Sequence, residues 1–246
     1  MGDITAIVSG KGGTGRTSTA VSLGAALAAR KTKTLLIDLN FGTEDLPFLF
    51  GAENRVVYHL LDVIEGNCKI IEAMVPFSKN PLLQLLPASV TRPLDLIPVS
   101  SFVKLTAMLR DSYDCILIDT PAGVSEALDY ALQGADAAMI VTTSDYLSVK
   151  SSKKLLEQPG FEGVRKSFLV NRFNRRLTGL PGMYSPEEAA EELGLPLLGI
   201  IPETEEIFAS SCTGEIADDK RLLSVKCFDN TAGRLLGEEI PINIRR

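Results

Sequence analysis

Residues 10–17 read Gly10-Lys11-Gly12-Gly13-Thr14-Gly15-Arg16-Thr17, and this stretch decides the fold. Its spacing is that of a phosphate-binding loop, G-x-x-x-x-G-K-[ST], except that Arg16 replaces the lysine. An apolar run, Ile4 to Val8, precedes it, and a helical pattern, Ser18 to Ala29, follows it. In this context the glycines let backbone N–H groups converge on an anion, and the helix N-terminus adds positive potential. The sequence therefore predicts a site for a nucleotide phosphate.

The rest of the chain alternates short apolar runs with helical patterns, which is typical of a parallel sheet covered on both faces. We predict a single doubly wound α/β domain over residues 1–246, with a mainly parallel sheet of about seven or eight strands. The predicted strands are Ile4–Val8, Thr34–Ile37, Leu82–Leu86, Cys115–Ile118, Ala137–Val141, Ser167–Val170 and Leu197–Ile201. The predicted helices are Thr17–Ala29, Val56–Glu65, Phe102–Arg110, Ser125–Gln133, Leu147–Glu157, Pro186–Leu193 and Leu222–Leu236.

Composition and charge narrow the possible classes of function. The 246 residues are 45% hydrophobic and carry a net charge of −6, which argues against general nucleic-acid coating. No signal peptide is recognisable, and no apolar run reaches the roughly 20 residues of a membrane span, so we expect a cytoplasmic protein. The four cysteines form no C-x-x-C pair, which favours reduced thiols over a metal or iron–sulfur site.

Two aspartates are placed to hold a cation beside the phosphates. Asp38 ends the apolar run Leu35–Ile37, and Asp119 ends the run Cys115–Ile118. Both therefore lie at the carboxyl edge of a parallel sheet, where ligands bind. Mg²⁺ takes one or two carboxylates and a hydroxyl, with waters completing an octahedron. Thr17, Asp38 and Asp119 are the predicted metal ligands.

The combination of motifs resembles the MinD/ParA family of deviant P-loop ATPases. The resemblance rests on Lys11-Gly12-Gly13, on Asp38, on the run from Asp119 to Gly123, and on Asn171-Arg172. It extends to Gly199-Ile200-Ile201-Pro202-Glu203 and to Arg234-Leu235-Leu236-Gly237-Glu238-Glu239, and these later runs are most similar to the MinD branch. That branch positions the division machinery of bacteria and archaea. The resemblance implies ATP or ADP with Mg²⁺ as cofactors, and a homodimer in the ATP state.

The resemblance also implies roles for individual residues. Lys11 matches the signature lysine that reaches the partner's phosphates across the dimer. Asn171 matches the residue that reads adenine through its amide, although a turn residue at a strand end is the alternative. Arg172 and Pro202 lie in the matching base-pocket segments. The implied phosphate cradle consists of Gly10, Lys11, Gly12, Gly13, Thr14, Gly15, Arg16, Thr17 and Ser18.

Two departures from the family pattern fall on the chemistry. Arg16 keeps the charge of the loop lysine, but its longer, planar guanidinium cannot occupy an ammonium-sized pocket in the same way. Asn40 replaces the second acid of an Asp-x-Asp pattern and cannot take a proton from the attacking water. Loss of a positioned base costs roughly 10²–10⁴ in rate. With Lys11, Arg16 and Asn40 as the catalytic set, we expect ATP hydrolysis to be slow or absent.

A third departure concerns the last residues. Members of the MinD branch usually continue into a basic amphipathic helix, whereas Pro241-Ile242-Asn243-Ile244-Arg245-Arg246 is too short for an interfacial helix. We therefore expect no autonomous membrane anchor.

Several functions stay open at this point. The first is an ATP-dependent dimerisation switch of the MinD type that presents a surface to an unidentified regulatory or cargo protein. The second is a pseudo-ATPase that acts as a scaffold or interaction protein. A ParA-like partitioning ATPase is a third, although nucleic-acid binding is disfavoured by the charge. The scattered cysteines disfavour the iron–sulfur carriers of the same superfamily.

Overall fold

Eight strands form one sheet in the computed structural model, which describes residues 2–242. The strands are β1 (Asp3–Val8), β2 (Thr34–Asp38), β3 (Val75–Pro76), β4 (Leu83–Leu86), β5 (Cys115–Asp119), β6 (Ala137–Thr142), β7 (Arg165–Phe173) and β8 (Leu197–Pro202). They pair in the order β3-β4-β2-β5-β1-β6-β7-β8. Only β3 runs antiparallel to its neighbour among these strands, so the sheet is mainly parallel, as predicted.

Helices connect the strands and cover both faces of the sheet. They are α1 (Arg16–Ala29), α2 (Asp45–Leu49), α3 (Leu60–Ile64), α4 (Ile70–Ala73), α5 (Val99–Leu109), α6 (Glu126–Gly134), α7 (Tyr146–Leu156), α8 (Pro186–Leu193), α9 (Glu205–Thr213) and α10 (Leu223–Leu235). Successive strand residues point to opposite faces, so each strand feeds two apolar clusters. In β2, for example, Leu35 and Ile37 belong to one cluster and Leu36 to the other. This is the doubly wound α/β fold.

The three central strands bring the predicted site together. The strand β1 lies between β5 and β6, and β2 lies on the other side of β5. The register pairs Ile7 with Asp119 and Asp38 with Asp119. Because these strands are parallel, the loop after β1 and the last residues of β2 and β5 meet at one edge.

The predicted elements are recovered with small shifts in their ends, and one helix is wrong. In place of a helix over Val56–Glu65, only Leu60–Ile64 is helical, and Val57 is exposed. The reason is local, because the backbone N–H of His59 donates to Asp62 at 2.9 Å and so fixes the helix start. The short elements α2, α4 and β3, and also α9, were not predicted from the sequence.

Two remaining expectations concern membranes and the end of the chain. Among the described helices, none is both long and apolar enough to span a bilayer. The prediction about Pro241–Arg246 falls mostly on residues 243–246, which lie outside the described residues, as does residue 1.

Candidate functional site

The loop between β1 and α1 has the close packing that its glycines allow. A Cβ at Gly15 would lie 2.3 Å from Nδ2 of Asn171, and Gly15 has a φ of 85°, which side chains rarely adopt. A Cβ at Gly10 would lie 2.2 Å from the backbone of Ser151 in α7. Glycine is therefore required at both positions, and the loop adopts a conformation that turns its backbone inward.

The first turn of α1 is left open as an anion site. Its N-cap, Gly15, supplies no side-chain hydrogen bond, and the first turn contains no acidic residue. The leading N–H groups of the helix therefore have no side-chain acceptor, and the helix dipole adds positive potential to them. Thr14 is buried, and its hydroxyl has no partner among the described residues. Such a helix end suits a phosphate.

The positive charge of Arg16 lies near Asp119, beside the first turn of α1. Burial lowers the pKa of its guanidinium, while attraction to Asp119 acts in the opposite direction. Its Nη1 is buried and has no hydrogen-bond partner among residues 2–242. A buried cationic donor without an acceptor is costly unless an anion arrives. Arg16 thus retains the charge of the loop lysine that it replaces, with one donor unused.

Asp38 and Asp119 form a buried pair of carboxyl groups, both with no exposed surface. Burial, reinforced by repulsion from Asp119, raises the pKa of Asp38 to about 8. Burial also raises the pKa of Asp119 to about 6, against the attraction of Arg16. Oδ2 of Asp38 and Oδ1 of Asp119 have no partner among the described residues. A cation bound between these two carboxyl groups would stabilise their charged forms.

Asn40 bridges the two acids. Its Nδ2 donates to Oδ2 of Asp119 at 2.7 Å and lies 3.4 Å from Oδ1 of Asp38. Its backbone N–H also donates to Oδ1 of Asp38 at 2.8 Å. The amide therefore occupies one oxygen of each acid and leaves the other oxygen of each without a partner.

The donor set fits a hard divalent cation. The hydroxyl of Thr17 lies close enough to Asp119 to lower the pKa of that carboxyl, which brings the third predicted ligand to the pair. Within residues 2–242 no three His, Cys, Asp or Glu side chains form a metal cluster. A cation here would thus take two carboxylates and a hydroxyl, with phosphate oxygens and waters completing its shell, as Mg²⁺ prefers.

Lys11 is held by its own chain. Its Nζ lies 3.3 Å from Oδ1 of Asp145, and both side chains are partly exposed. Asp145 caps α7 by accepting from the N–H of Ser148 at 3.1 Å. Sequence analysis missed Asp145, although an aspartate just before a helical pattern is a typical N-cap signal.

The predicted base pocket is only partly assembled. Asn171 is buried, and its Nδ2 donates to the carbonyl of Thr14 at 2.8 Å. Its amide therefore braces the phosphate loop in this conformation, and the residue lies inside β7 and not in a turn. Arg172 is exposed, with a φ of 51°, and Pro202 ends β8 half-buried. Both lie at the strand ends that flank Asn171.

Comparison with known proteins decides the family. A family profile described as an AAA domain matches residues 2–167. The septum site-determining protein MinD of Synechocystis is 37% identical over 244 residues, which cover 98% of this chain and 92% of the relative. The chain belongs to the MinD family. Its P-loop, its cell-division relatives and its doubly wound sheet all agree with the MinD/ParA resemblance.

Solved MinD structures share the whole architecture. A MinC:MinD cell division complex from Aquifex aeolicus has a chain with a TM-score of 0.89 and 32% identity, and the match covers 98% of both chains. MinD from Pyrococcus horikoshii, described as complexed with Mg-ADP, has a TM-score of 0.85 and 26% identity, with 98% of this chain and all of that chain covered. MinD proteins thus include at least one that binds nucleotide with magnesium and one in a complex with MinC.

Proposed function

We propose that this chain is an ATP- and Mg²⁺-dependent dimerisation switch of the MinD type, with slow hydrolysis, that positions the division apparatus. The observation that carries the proposal is the convergence of unused groups at one edge of the sheet. The open first turn of α1 and Nη1 of Arg16 offer positive charge for phosphate oxygens. The free oxygens of Asp38 and Asp119 offer negative charge for a cation.

The chain's own residues would divide the work of binding. The loop from Gly10 to Gly15 and the first turn of α1 would hold the phosphates. Thr17, Asp38 and Asp119 would hold Mg²⁺, which supplies charge neutralisation between phosphate oxygens when bound. Asn171, Arg172 and Pro202 would face the base, which requires the amide of Asn171 to leave Thr14.

The surface around the loop suits a second copy of the chain. The N–H of Gly123 donates to the carbonyl of Ser9 at 2.9 Å, which places Val124 beside the loop. Val124 and Leu147 are each 64% exposed, and Leu147 lies two residues from Asp145, the partner of Lys11. These two exposed apolar side chains would be covered by the second copy in the proposed dimer. Lys11 would exchange Asp145 for the partner's phosphates.

Light scattering after size exclusion tests the switch. We expect the mass in solution to double when ATP and Mg²⁺ are added, and Lys11→Ala to stay monomeric while it still binds nucleotide. Lys104→Ala, which removes an exposed lysine on α5, is the matched control and should dimerise normally. A mass in solution that does not change on addition of ATP and Mg²⁺ would contradict the dimerisation proposal.

Hydrolysis is proposed to be slow because of two residues. Phosphoryl transfer depends on positioning and charge stabilisation. Arg16 changes the shape of the group over the phosphates, and Asn40 binds both acids through an amide that cannot accept a proton. The double variant Arg16→Lys, Asn40→Asp should raise phosphate release by roughly 10²-fold or more over the parent. If the parent already releases phosphate as fast as the double variant, Asn40 does not slow hydrolysis.

The alternatives predict different results in the same assays. A pseudo-ATPase scaffold would release no phosphate and would not change its mass with ATP, and phosphate release gained only in the double variant Arg16→Lys, Asn40→Asp would mark the parent as a degenerate site on an intact scaffold. A ParA-like partitioning ATPase would bind non-specific DNA with strong salt dependence.

The MinC:MinD complex of Aquifex aeolicus makes a MinC-type protein the first regulatory partner to try. All four cysteines are free thiols, which suits the proposed cytoplasmic location.

A further inference from the structure

A cavity of about 330 Å³ lies along α1, between that helix, α9 and α10. Of the described residues that line it, only Ser18 belongs to the predicted phosphate cradle. Asp38, Asp119 and the loop from Gly10 to Thr17 take no part in its walls. The cavity is therefore separate from the carboxylate pair and touches the nucleotide site only at one end.

The cavity exists because α1 presents small side chains along one face. Ser18, Ser22, Ala25 and Ala29 line it and are spaced by four, three and four residues. That spacing keeps them on one face, and the row is about 16 Å long at 1.5 Å per residue. The opposite wall is α9, which has no fully buried residue and lines the cavity with Ile207, Ser210 and Ser211. The result is an elongated space.

The walls combine apolar side chains with serine hydroxyls. Their apolar members include Ile207, Ile216 and Phe228. The hydroxyl of Ser224 donates to Oε1 of Glu206 at 2.7 Å, and the hydroxyl of Ser210 accepts from a backbone N–H at 3.2 Å. These hydroxyls are therefore already engaged within the protein. An apolar chain fits such walls better than a polar ligand does.

Charge is concentrated at the mouth. Lys220 and Lys226 line the cavity and are exposed, and neither forms a salt bridge within residues 2–242. Asp219 lies near Lys226, but Arg221 already binds this carboxylate at 2.7 Å. The two ammonium groups are thus available to a ligand.

The two acids that line the cavity are already paired with other cations. Asp218 lies 3.0 Å from Lys79, and Asp229 lies 2.8 Å from Arg30. Lys220 and Lys226 are therefore the two charged groups of the lining without an ion-pair partner among the described residues, and an anionic group complements them.

We propose that the cavity binds a single-chain anionic amphiphile, such as a medium-chain fatty acid anion. The chain lies along α1, and the head group meets Lys220 and Lys226 at the mouth. The segment after α9 packs against α2, where Gly214 approaches Phe48, and against the turn between β3 and β4, where Lys79 donates to the carbonyl of Ile216 at 3.1 Å. A chain bound in the cavity contacts α1, α9 and α10 at once, because all three helices line it. Binding therefore raises the unfolding temperature.

Calorimetric titration of the full chain with monomeric dodecanoate tests the proposal. We expect one saturable site, at least tenfold weaker binding of dodecyltrimethylammonium, and retained binding with Mg-ATP present. Sedimentation with phosphatidylglycerol vesicles distinguishes a chain drawn from a bilayer from a free fatty acid. No saturable binding of either source, or equal binding of the cationic probe, would overturn the proposal. Displacement by Mg-ATP would do the same, because the cavity would then be part of the nucleotide site.

Variants separate the cavity from the mouth. Ala25→Phe fills the space and should abolish binding, with circular dichroism as the check on folding. The double variant Lys220→Gln, Lys226→Gln should bind about tenfold more weakly and lose most of the salt dependence. This second variant tests the proposal even if Ala25→Phe does not fold. Lys104→Gln is the matched control, and an equal loss in it would count against the assigned head-group site.

Discussion

At the scale of single residues, the site brings together acidic and basic side chains, each of which has an atom without a hydrogen-bond partner among the described residues. Asp38 and Asp119 are buried together, and Asn40 ties one oxygen of each. An aspartate at position 40 would place a third carboxyl group against this pair. Asn40 therefore lets the acids stay close in the absence of a cation.

Stability in the absence of nucleotide and metal should fall as pH rises from about 4 to about 8. The pKa of Asp38 is raised from 3.8 to about 8, and that of Asp119 from 3.8 to about 6. Between these values the folded protein holds more protons than the unfolded chain, so raising the pH favours unfolding. Urea denaturation at about pH 5 and about pH 8 measures the slope.

The variant Asp38→Asn is the control for this pH dependence. It keeps an oxygen that can accept from the N–H of Asn40 but cannot ionise, so the loss of stability between the two pH values should shrink. An unchanged slope in this variant would mean that other groups cause the dependence.

At the scale of elements, the strand ends and the helix caps place the chemistry. The sequence predicted β1, β2 and β5 with their acids at one edge, because unbroken apolar runs followed by an aspartate have few other interpretations. The helix α8 covers the predicted residues Pro186–Leu193, and the structure shows Ser185 as its N-cap and Gly194 as its C-cap.

Other elements depended on contacts that no local pattern reveals. The start of α3 depends on the bond between His59 and Asp62, and α9 contributes no buried residue that would mark a helical face. The bond from Asn171 to Thr14 joins residues 157 apart in the sequence, and only the assembled sheet brings them together. The roles of Arg16 and Asn40 in hydrolysis stay predictions.

The cap of α7 provides a test at this scale. Asp145→Ala should cost about 1 kcal/mol of unfolding free energy, because it removes the N-cap bond to Ser148. Asp145→Ser keeps a capping oxygen but removes the ion pair with Lys11, so it should cost only a few tenths of that amount. Denaturant unfolding of both variants measures the difference. Equal losses would show that the exposed ion pair, and not the cap, carries the stability.

At the scale of the whole molecule, the helix α1 connects the proposed nucleotide site at the edge of the sheet with the cavity beside α9 and α10. The carboxyl edge gathers the phosphate loop, Arg16 and the two acids, and α1 leads from that edge along the apolar cavity. Both the nucleotide site and the cavity contact α1. A ligand in one of them can change binding at the other only if it binds one position of this helix more tightly than another. The family's dimer face would lie beside the loop.

We propose that the amide groups of the loop from Gly10 to Thr17, together with Asp38 and Asp119, bind a nucleotide with Mg²⁺. Calorimetric titration of the purified chain with ATP, with and without Mg²⁺, tests it most directly. We expect one nucleotide per chain, bound more tightly when Mg²⁺ is present, with the Mg²⁺ dependence reduced in Asp119→Asn. No heat and no thermal protection with ATP or ADP, in either condition, would contradict it.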